Sequence, residues 1–126
     1  MKENNKPVKI PKNGEIWLTD FNRKNEKEES KIRPVLVISD NIQNECDRWI
    51  VVVPMTTKDT EKILPVEVFV KNTPETGIDY PSKLQFNYPR TIDKELRLID
   101  RLGVADRETI KKAKTAWVVA FDTDIW

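Results

Sequence analysis

The alternation of apolar and polar side chains predicts a protein built mostly from β-strands. In residues 14–21, GEIWLTDF, Ile16 and Leu18 alternate with polar positions, as in a strand with one buried face. Further strands are predicted at residues 34–39 (PVLVIS), 48–56 (RWIVVVPMT), 63–70 (ILPVEVFV), 83–89 (KLQFNYP) and around 96–100 (LRLID). The segments between them are polar and predict a charged loop at 22–32, a turn at 40–47 and a turn-rich connector at 71–81.

One amphipathic helix is predicted near the end of the sequence. Asp106 suits its N-cap, because a carboxylate accepts hydrogen bonds from the free amides of the first turn. Apolar residues then recur three or four positions apart, which predicts a buried stripe that includes Ile110, Ala113, Trp117, Ala120 and Phe121. Strands without intervening helices, followed by one helix, favour a small antiparallel barrel or curled sheet.

Composition indicates a globular protein without a global charge signal. The 126 residues suit one domain, and their formal net charge is +1, so any nucleic-acid contact has to come from a local patch. Residues 1–13 carry four lysines against one acid and predict a flexible basic arm, and residues 14–126 predict a single domain. No apolar run is long enough to span a membrane, and a cytoplasmic location is predicted.

The chemistry open to this chain is limited by two residue types. Cys46 is the only cysteine, so an intrachain disulfide is impossible. Histidine is absent, which excludes serine–histidine and cysteine–histidine nucleophile pairs and makes a zinc site unexpected. Any catalysis therefore has to use carboxylates, arginine, lysine, threonine, tyrosine or water, and no metal or other cofactor is expected.

Several motifs in order resemble one known family. The segments GEIWLTDF, RPVLVIS, VVVPMTT and PRTIDKE, followed by RLG and a terminal helix, resemble the MazF/PemK toxins of type II toxin–antitoxin systems. The resemblance covers about residues 14–121. It implies a mainly β fold, a half-open antiparallel barrel of the Src-homology-3-like, MazF/CcdB type with a C-terminal helix. It also implies a homodimer, metal-independent sequence-specific cleavage of single-stranded RNA, and a cognate antitoxin with a disordered acidic tail.

The expected reaction explains why Arg33 precedes a rigid strand. Attack by a 2′-hydroxyl on phosphorus needs a group that neutralises the phosphoryl oxygens, a base for the 2′ proton and an acid for the leaving oxygen. The planar fork of Arg33 binds two phosphate oxygens at once, and Pro34 restricts the backbone beside it. The resemblance implies that Arg33 is catalytic and that Thr56 is its companion.

Other candidate site residues are assigned from the same resemblance. Relatives carry a carboxylate two residues before the proline of PRTID, where this sequence has Asn87, so Glu28 or Glu29 is a candidate base. Of these two, Glu28 is the predicted catalytic residue. The predicted RNA contacts are Lys31, Thr57, Lys58, Gln85, Asn87 and Arg90.

The sequence is also compatible with two alternatives to an active ribonuclease. The fold also resembles CcdB-type toxins, which trap DNA gyrase without being enzymes, and Trp126 is a candidate contact in that setting. The second alternative is a catalytically impaired relative that binds only RNA or antitoxin. Asn87 supports this alternative, because relatives carry a carboxylate at that position. Trp17 and Trp49 are predicted to lie in the core or on a dimer surface, and Trp117 in the core.

Overall fold

A computed structural model describes residues 9–121, which form an antiparallel sheet and three helices. The strands are β1 (Glu15–Asp20), β2 (Ile32–Val37), β3 (Trp49–Thr56), β4 (Glu67–Val70), β5 (Ser82–Gln85), β6 (Arg90–Asp93) and β7 (Leu98–Val104). The helices are α1 (Asn41–Cys46), α2 (Lys94–Arg97) and α3 (Arg107–Ala120), and a 3-10 turn spans Glu29–Lys31.

The sheet curls along its longest strand, β3. The hydrogen-bonded order is β4-β5-β3-β2-β1-β7, and β6 pairs with β3. Residues Trp49–Val52 of β3 pair with β6, whereas Met55 and Thr56 of β3 pair with β5. Within the described residues β4 and β7 do not pair with each other, so the barrel stays half open. The predicted fold class is therefore confirmed.

Alternating side chains of the same strands build two hydrophobic clusters. Leu36 and Val53 belong to one cluster, which α3 covers. Val35 and Val52 belong to the other, which includes Trp17. Burying each such side chain stabilises the fold by about 1.5–3 kcal/mol. The two clusters therefore hold β2 and β3 rigidly in register.

Helix α3 begins as predicted but packs differently along its length. The carboxylate of Asp106 accepts a 2.7 Å hydrogen bond from the amide of Thr109. Its buried residues are the small Ala113 and Ala116, which let the helix approach the sheet closely. Trp117 is consequently at the margin of the contact and 40% exposed, so its predicted place in the core is wrong.

Three short elements were not expected from the sequence. Residues 41–46 form α1 rather than a turn, because the Asp40 carboxylate caps the amides of Ile42 and Gln43. Arg90–Asp93 form β6, and Asp93 in turn caps α2. Elements of four to six residues are too short to show a helical or strand periodicity.

Only the last part of the predicted basic arm lies among the described residues. There the ammonium of Lys9 donates hydrogen bonds to the carbonyls of Glu95 and Leu98, and Pro11 is buried. Residues 9–13 therefore pack against the domain. Residues 1–8 and the candidate contact Trp126 lie outside the described range.

Candidate active site

The antiparallel register of β2 and β3 brings Arg33 and Thr56 together. Val35 and Pro54 are the last paired residues at this end of β2 and β3, and Arg33 and Thr56 lie two residues beyond them on their strands. Both residues line a cleft of about 450 Å³, here called the Arg33 cleft. Thr57 and Lys58, which follow β3, line it as well.

Among the described residues, the guanidinium of Arg33 is held at one nitrogen. Its Nε donates a 3.0 Å hydrogen bond to the carbonyl of Ser30, while its backbone pairs with Thr19 of β1. Thr19 is fully buried, so the strand beneath the arginine is fixed. Within residues 9–121, the two terminal nitrogens of Arg33 have neither an ion pair nor a hydrogen bond. A fork of this kind is free to bind two oxygens of a phosphate.

Thr56 ends β3 on a well-anchored segment. Its hydroxyl oxygen accepts a 3.2 Å hydrogen bond from the amide of Lys58. Across the sheet it pairs with Lys83, whose ammonium forms a buried 3.0 Å ion pair with Glu67. The same ammonium donates a 3.0 Å hydrogen bond to the carbonyl of Lys62. This buried pair therefore ties the segment after Thr56 to β5, which fixes the position of the threonine.

The connector between β4 and β5 forms another wall of the Arg33 cleft. Gly77, Asp79 and Tyr80 line it. The backbone of Gly77 has a φ of +70°, and an added Cβ would lie 2.0 Å from the carbonyl oxygen of Leu102. Sequence reasoning assigned no site residue to this connector, although Gly77 is the only glycine between positions 14 and 103 and marks a special backbone position.

The two candidate bases in the loop before Arg33, Glu28 and Glu29, have different surroundings. The carboxylate of Glu28 forms a 3.2 Å ion pair with Lys31, which also pairs with Glu26 at 3.0 Å. Hydrogen bonds to Glu26 and then to Glu28 raise the pKa of Lys31. Neither Glu28 nor Lys31 lines the Arg33 cleft, whereas Glu29 does.

The remaining predicted RNA contacts also lie outside the Arg33 cleft. Gln85 ends β5 and pairs with Glu67, and Asn87 is exposed in the turn that follows. Arg90 begins β6 with its guanidinium 4.6 Å from the centre of the Phe21 ring. Of the nine predicted site residues, the structure gathers Arg33, Thr56, Thr57 and Lys58 in the cleft and places Glu28, Lys31, Gln85, Asn87 and Arg90 elsewhere.

Charges in the Arg33 cleft suit a phosphate beside a proton acceptor. Arg33 and Lys58 supply positive charge, and Glu29 and Asp79 supply carboxylates. In the described part of the chain, no cluster of three or more cysteine or acidic side chains is arranged to hold a metal ion. None of the helices between residues 9 and 121 combines the length and the apolar character that crossing a bilayer requires.

Comparison with known proteins identifies the family. Residues 12–120 match the PemK-like, MazF-like toxins of type II toxin-antitoxin systems. The chain belongs to this family. It is 30% identical over 107 residues to the endoribonuclease EndoA of Bacillus subtilis, covering 85% of this chain and 90% of the relative. It is 28% identical over 119 residues to the endoribonuclease MazF9 of Mycobacterium tuberculosis, covering 90% and 96% of the two chains.

Solved structures of PemK/MazF-type proteins share the fold. A mycobacterial endoribonuclease superposes with a TM-score of 0.73 at 22% identity, covering 94% of this chain and 97% of its own. A structure of a mycobacterial endoribonuclease in complex with its cognate antitoxin superposes with a TM-score of 0.72 at 23% identity, covering 92% of this chain and 98% of its own. The predicted toxin family and its fold are thus confirmed, and the family favours an endoribonuclease over a CcdB-type gyrase poison.

Proposed function

We propose that this PemK/MazF-type toxin cleaves single-stranded RNA as a metal-independent, sequence-specific endoribonuclease in the Arg33 cleft. The observation that carries the proposal is that Arg33 and Thr56, each two residues beyond the Val35–Pro54 pair, line the same cleft. Two related toxins of this family are endoribonucleases, which supports the same reaction here.

The reaction is an intramolecular transesterification at one phosphodiester group of the RNA. The 2′-oxygen attacks the adjacent phosphorus, the bond from phosphorus to the 5′-oxygen breaks, and a 2′,3′-cyclic phosphate and a 5′-hydroxyl result. Arg33 binds two of the phosphoryl oxygens and stabilises the negative charge that they gain in the transition state. Thr56 hydrogen-bonds the same phosphate and holds it in line for attack. Lys58 and Thr57 bind the neighbouring backbone, with an affinity that falls as salt rises.

The base that removes the 2′ proton is Glu29 in this proposal. Glu29 lines the Arg33 cleft, whereas the predicted candidate Glu28 is paired with Lys31 outside it. The guanidinium of Arg33 stabilises the negative charge that develops on the phosphate, and the leaving 5′-oxygen takes its proton from solvent. The proton taken by Glu29 passes to solvent, so the carboxylate is ready for the next reaction and the protons balance without a cofactor.

The toxin acts in the cytoplasm as a homodimer, and its partner is an antitoxin with a disordered acidic tail. The lysines of α3 and the cleft residues Arg33 and Lys58 offer positive charge to such a tail. A mycobacterial toxin of the same fold has been solved with its cognate antitoxin, which supports this kind of partner.

Cleavage of a mixed-sequence RNA in the presence of a chelator tests the proposal. The wild type should produce fragments with cyclic-phosphate and 5′-hydroxyl ends. Arg33→Ala and Thr56→Ala should each lower the single-turnover rate by about 10²–10³-fold, since each removes a contact to the developing charge. Arg107→Ala is the matched control, because Arg107 is exposed at the start of α3, away from the cleft.

Three results would contradict parts of the proposal. Unchanged cleavage by both cleft variants would reject the assignment of the site. A folded wild type that binds RNA without cleaving it would identify a catalytically impaired relative. Gyrase inhibition without RNA cleavage would support the CcdB-type alternative.

A further inference from the structure

We propose that Tyr80 is the base-stacking platform of the Arg33 cleft and helps to set the RNA sequence that is cleaved. The inference rests on the proposed function. Tyr80 lines the same cleft as Arg33 and Thr56, yet 67% of its side chain is exposed. A large aromatic ring that is open to solvent beside a phosphate-binding group is suited to a ligand with both a phosphate and a flat ring.

The backbone below Tyr80 is fixed on both sides. Before it, Ile78 is buried in the core and Gly77 packs against the carbonyl of Leu102. After it, Pro81 restricts the chain, and the buried hydroxyl of Ser82 donates a 2.9 Å hydrogen bond to the carbonyl of Tyr80. A ring on such a mount loses little entropy when a base stacks on it.

The hydrogen bonds of the preceding connector make the mount stiffer. The hydroxyl of Thr76 donates to the carbonyl of Lys71 at 2.9 Å and accepts from the amide of Thr73 at 3.0 Å. The amide of Gly77 donates to the carbonyl of Thr73 at 2.9 Å. Tyr80 is therefore carried by an ordered loop, although it stands in a connector without strand or helix.

Single-stranded RNA has the chemistry that this arrangement recognises. Its bases are unpaired, and aromatic side chains bind them by stacking while cations bind the backbone. In the described part of the chain, no other aromatic ring and no cation stacks on Tyr80. Arg33 would hold the reacting phosphate, and Tyr80 would hold the base of a neighbouring nucleotide.

Tyr88 provides a matched control on the same protein. It is 59% exposed, close to the exposure of Tyr80, but it does not line the Arg33 cleft. Tyr80→Ala should raise the KM for RNA between about fivefold and about a hundredfold, as expected when one stacking contact is lost. Its kcat should change little, and Tyr80→Phe and Tyr80→Trp should keep a KM near that of the wild type. Tyr88→Ala should leave both constants unchanged.

A binding measurement separates stacking from catalysis. The probe is a single-stranded oligonucleotide with 2′-O-methyl groups, which cannot be cleaved, and one 2-aminopurine placed at each position in turn. The wild type and Tyr80→Phe should quench the fluorescence of 2-aminopurine at one position, and Tyr80→Ala should not. Deep sequencing of cleavage products should show weaker base preference at that position for Tyr80→Ala.

The outcomes distinguish this inference from the proposed function. Quenching by the wild type without cleavage of unmodified RNA would support the platform and contradict the nuclease. Cleavage by the wild type with an unchanged KM for Tyr80→Ala would overturn the platform. Loss of RNA binding by Tyr80→Ala together with a change in its mass in solution would assign Tyr80 to a subunit interface, which also overturns the inference.

Discussion

Glu28 and Glu29 are adjacent in the sequence but have different surroundings. Glu28 shares an ammonium with Glu26 through Lys31, so its charge is already partnered. Glu29 begins the 3-10 turn and lines the Arg33 cleft. A general base needs access to the substrate before anything else, and by this criterion Glu29 is the better candidate.

Exchange of each acid for its amide tests this assignment. Glu29→Gln keeps the shape of the side chain but cannot take a proton, so we expect single-turnover cleavage to slow by about 10²–10⁴-fold. Glu28→Gln should cleave within a few-fold of the wild type. Equal rates for the wild type and Glu29→Gln, or a larger loss for Glu28→Gln, would assign the base elsewhere.

Single residues were predictable where their chemistry shows in the sequence. Arg33 and Thr56 stand at the ends of two clear strands, and the pairing of Val35 with Pro54 brings these ends to one side, where both residues line the cleft. The place of Glu29 depends on a three-residue turn, and that of Tyr80 on the path of a long connector. Neither has a periodic pattern, so the sequence could not place these two side chains in the cleft.

Strands β3 and β6 and helix α2 meet at Asp93, which joins these elements by charge. Its carboxylate is 6% exposed, forms an ion pair with Arg48 and caps the amides of Glu95 and Leu96. Burial by itself would raise the pKa of Asp93, but the hydrogen bond from Arg48 and the two amides outweigh burial and lower it. Because the folded-state pKa is lowered, the carboxylate stabilises the fold above its usual pKa of 3.8. That contribution is lost as the pH falls through the lowered value.

Asp93→Asn should therefore destabilise the protein at neutral pH. The amide can still cap α2 but leaves Arg48 without its charge partner, and we expect a loss of about 1–3 kcal/mol in the free energy of unfolding. Urea unfolding at pH values from about 7 down to about 3 should show the difference from the wild type shrinking below about pH 4. Asp100→Asn, at an exposed position of β7, is the control. A difference that does not depend on pH would contradict a role for the charge.

Long elements were predicted more reliably than short ones. The alternation in β1 to β3 and the capped stripe of α3 follow from burial of one face, which the sequence shows directly. Helices α1 and α2 are made by the caps Asp40 and Asp93, and β6 by pairing with distant β3. These short elements form because of contacts with residues distant in sequence, so a local sequence pattern does not predict them.

At the scale of the whole molecule, the homodimer remains a prediction from the family resemblance. A dimer should give twice the 14.8 kDa of one chain by light scattering coupled to gel filtration. The mass should not change in high salt if apolar surface closes the interface. A single-chain mass at micromolar concentration, with RNA cleavage intact, would show that the site needs no second copy.

The overall architecture was within reach of the sequence because one domain has few ways to bury the six predicted strands and a helix. The distance between α3 and the sheet could not be predicted from the sequence, because Ala113 and Ala116, rather than Trp117, form the buried contact. Side-chain size at a helix–sheet contact is a property of both surfaces together.

The close contact between the connector and β7 has a consequence for how the toxin is made. An added Cβ on Gly103 would lie 2.1 Å from the carbonyl oxygen of Glu75, and the amide of Val104 donates to that oxygen at 2.9 Å. The connector that carries Tyr80 thus packs against β7, which the ribosome synthesises after the other described strands. A nascent chain that stops before residue 102 already contains Arg33 and Thr56 but not the backbone that supports the connector with Tyr80. The order of translation therefore delays a complete cleft until β7 has been synthesised.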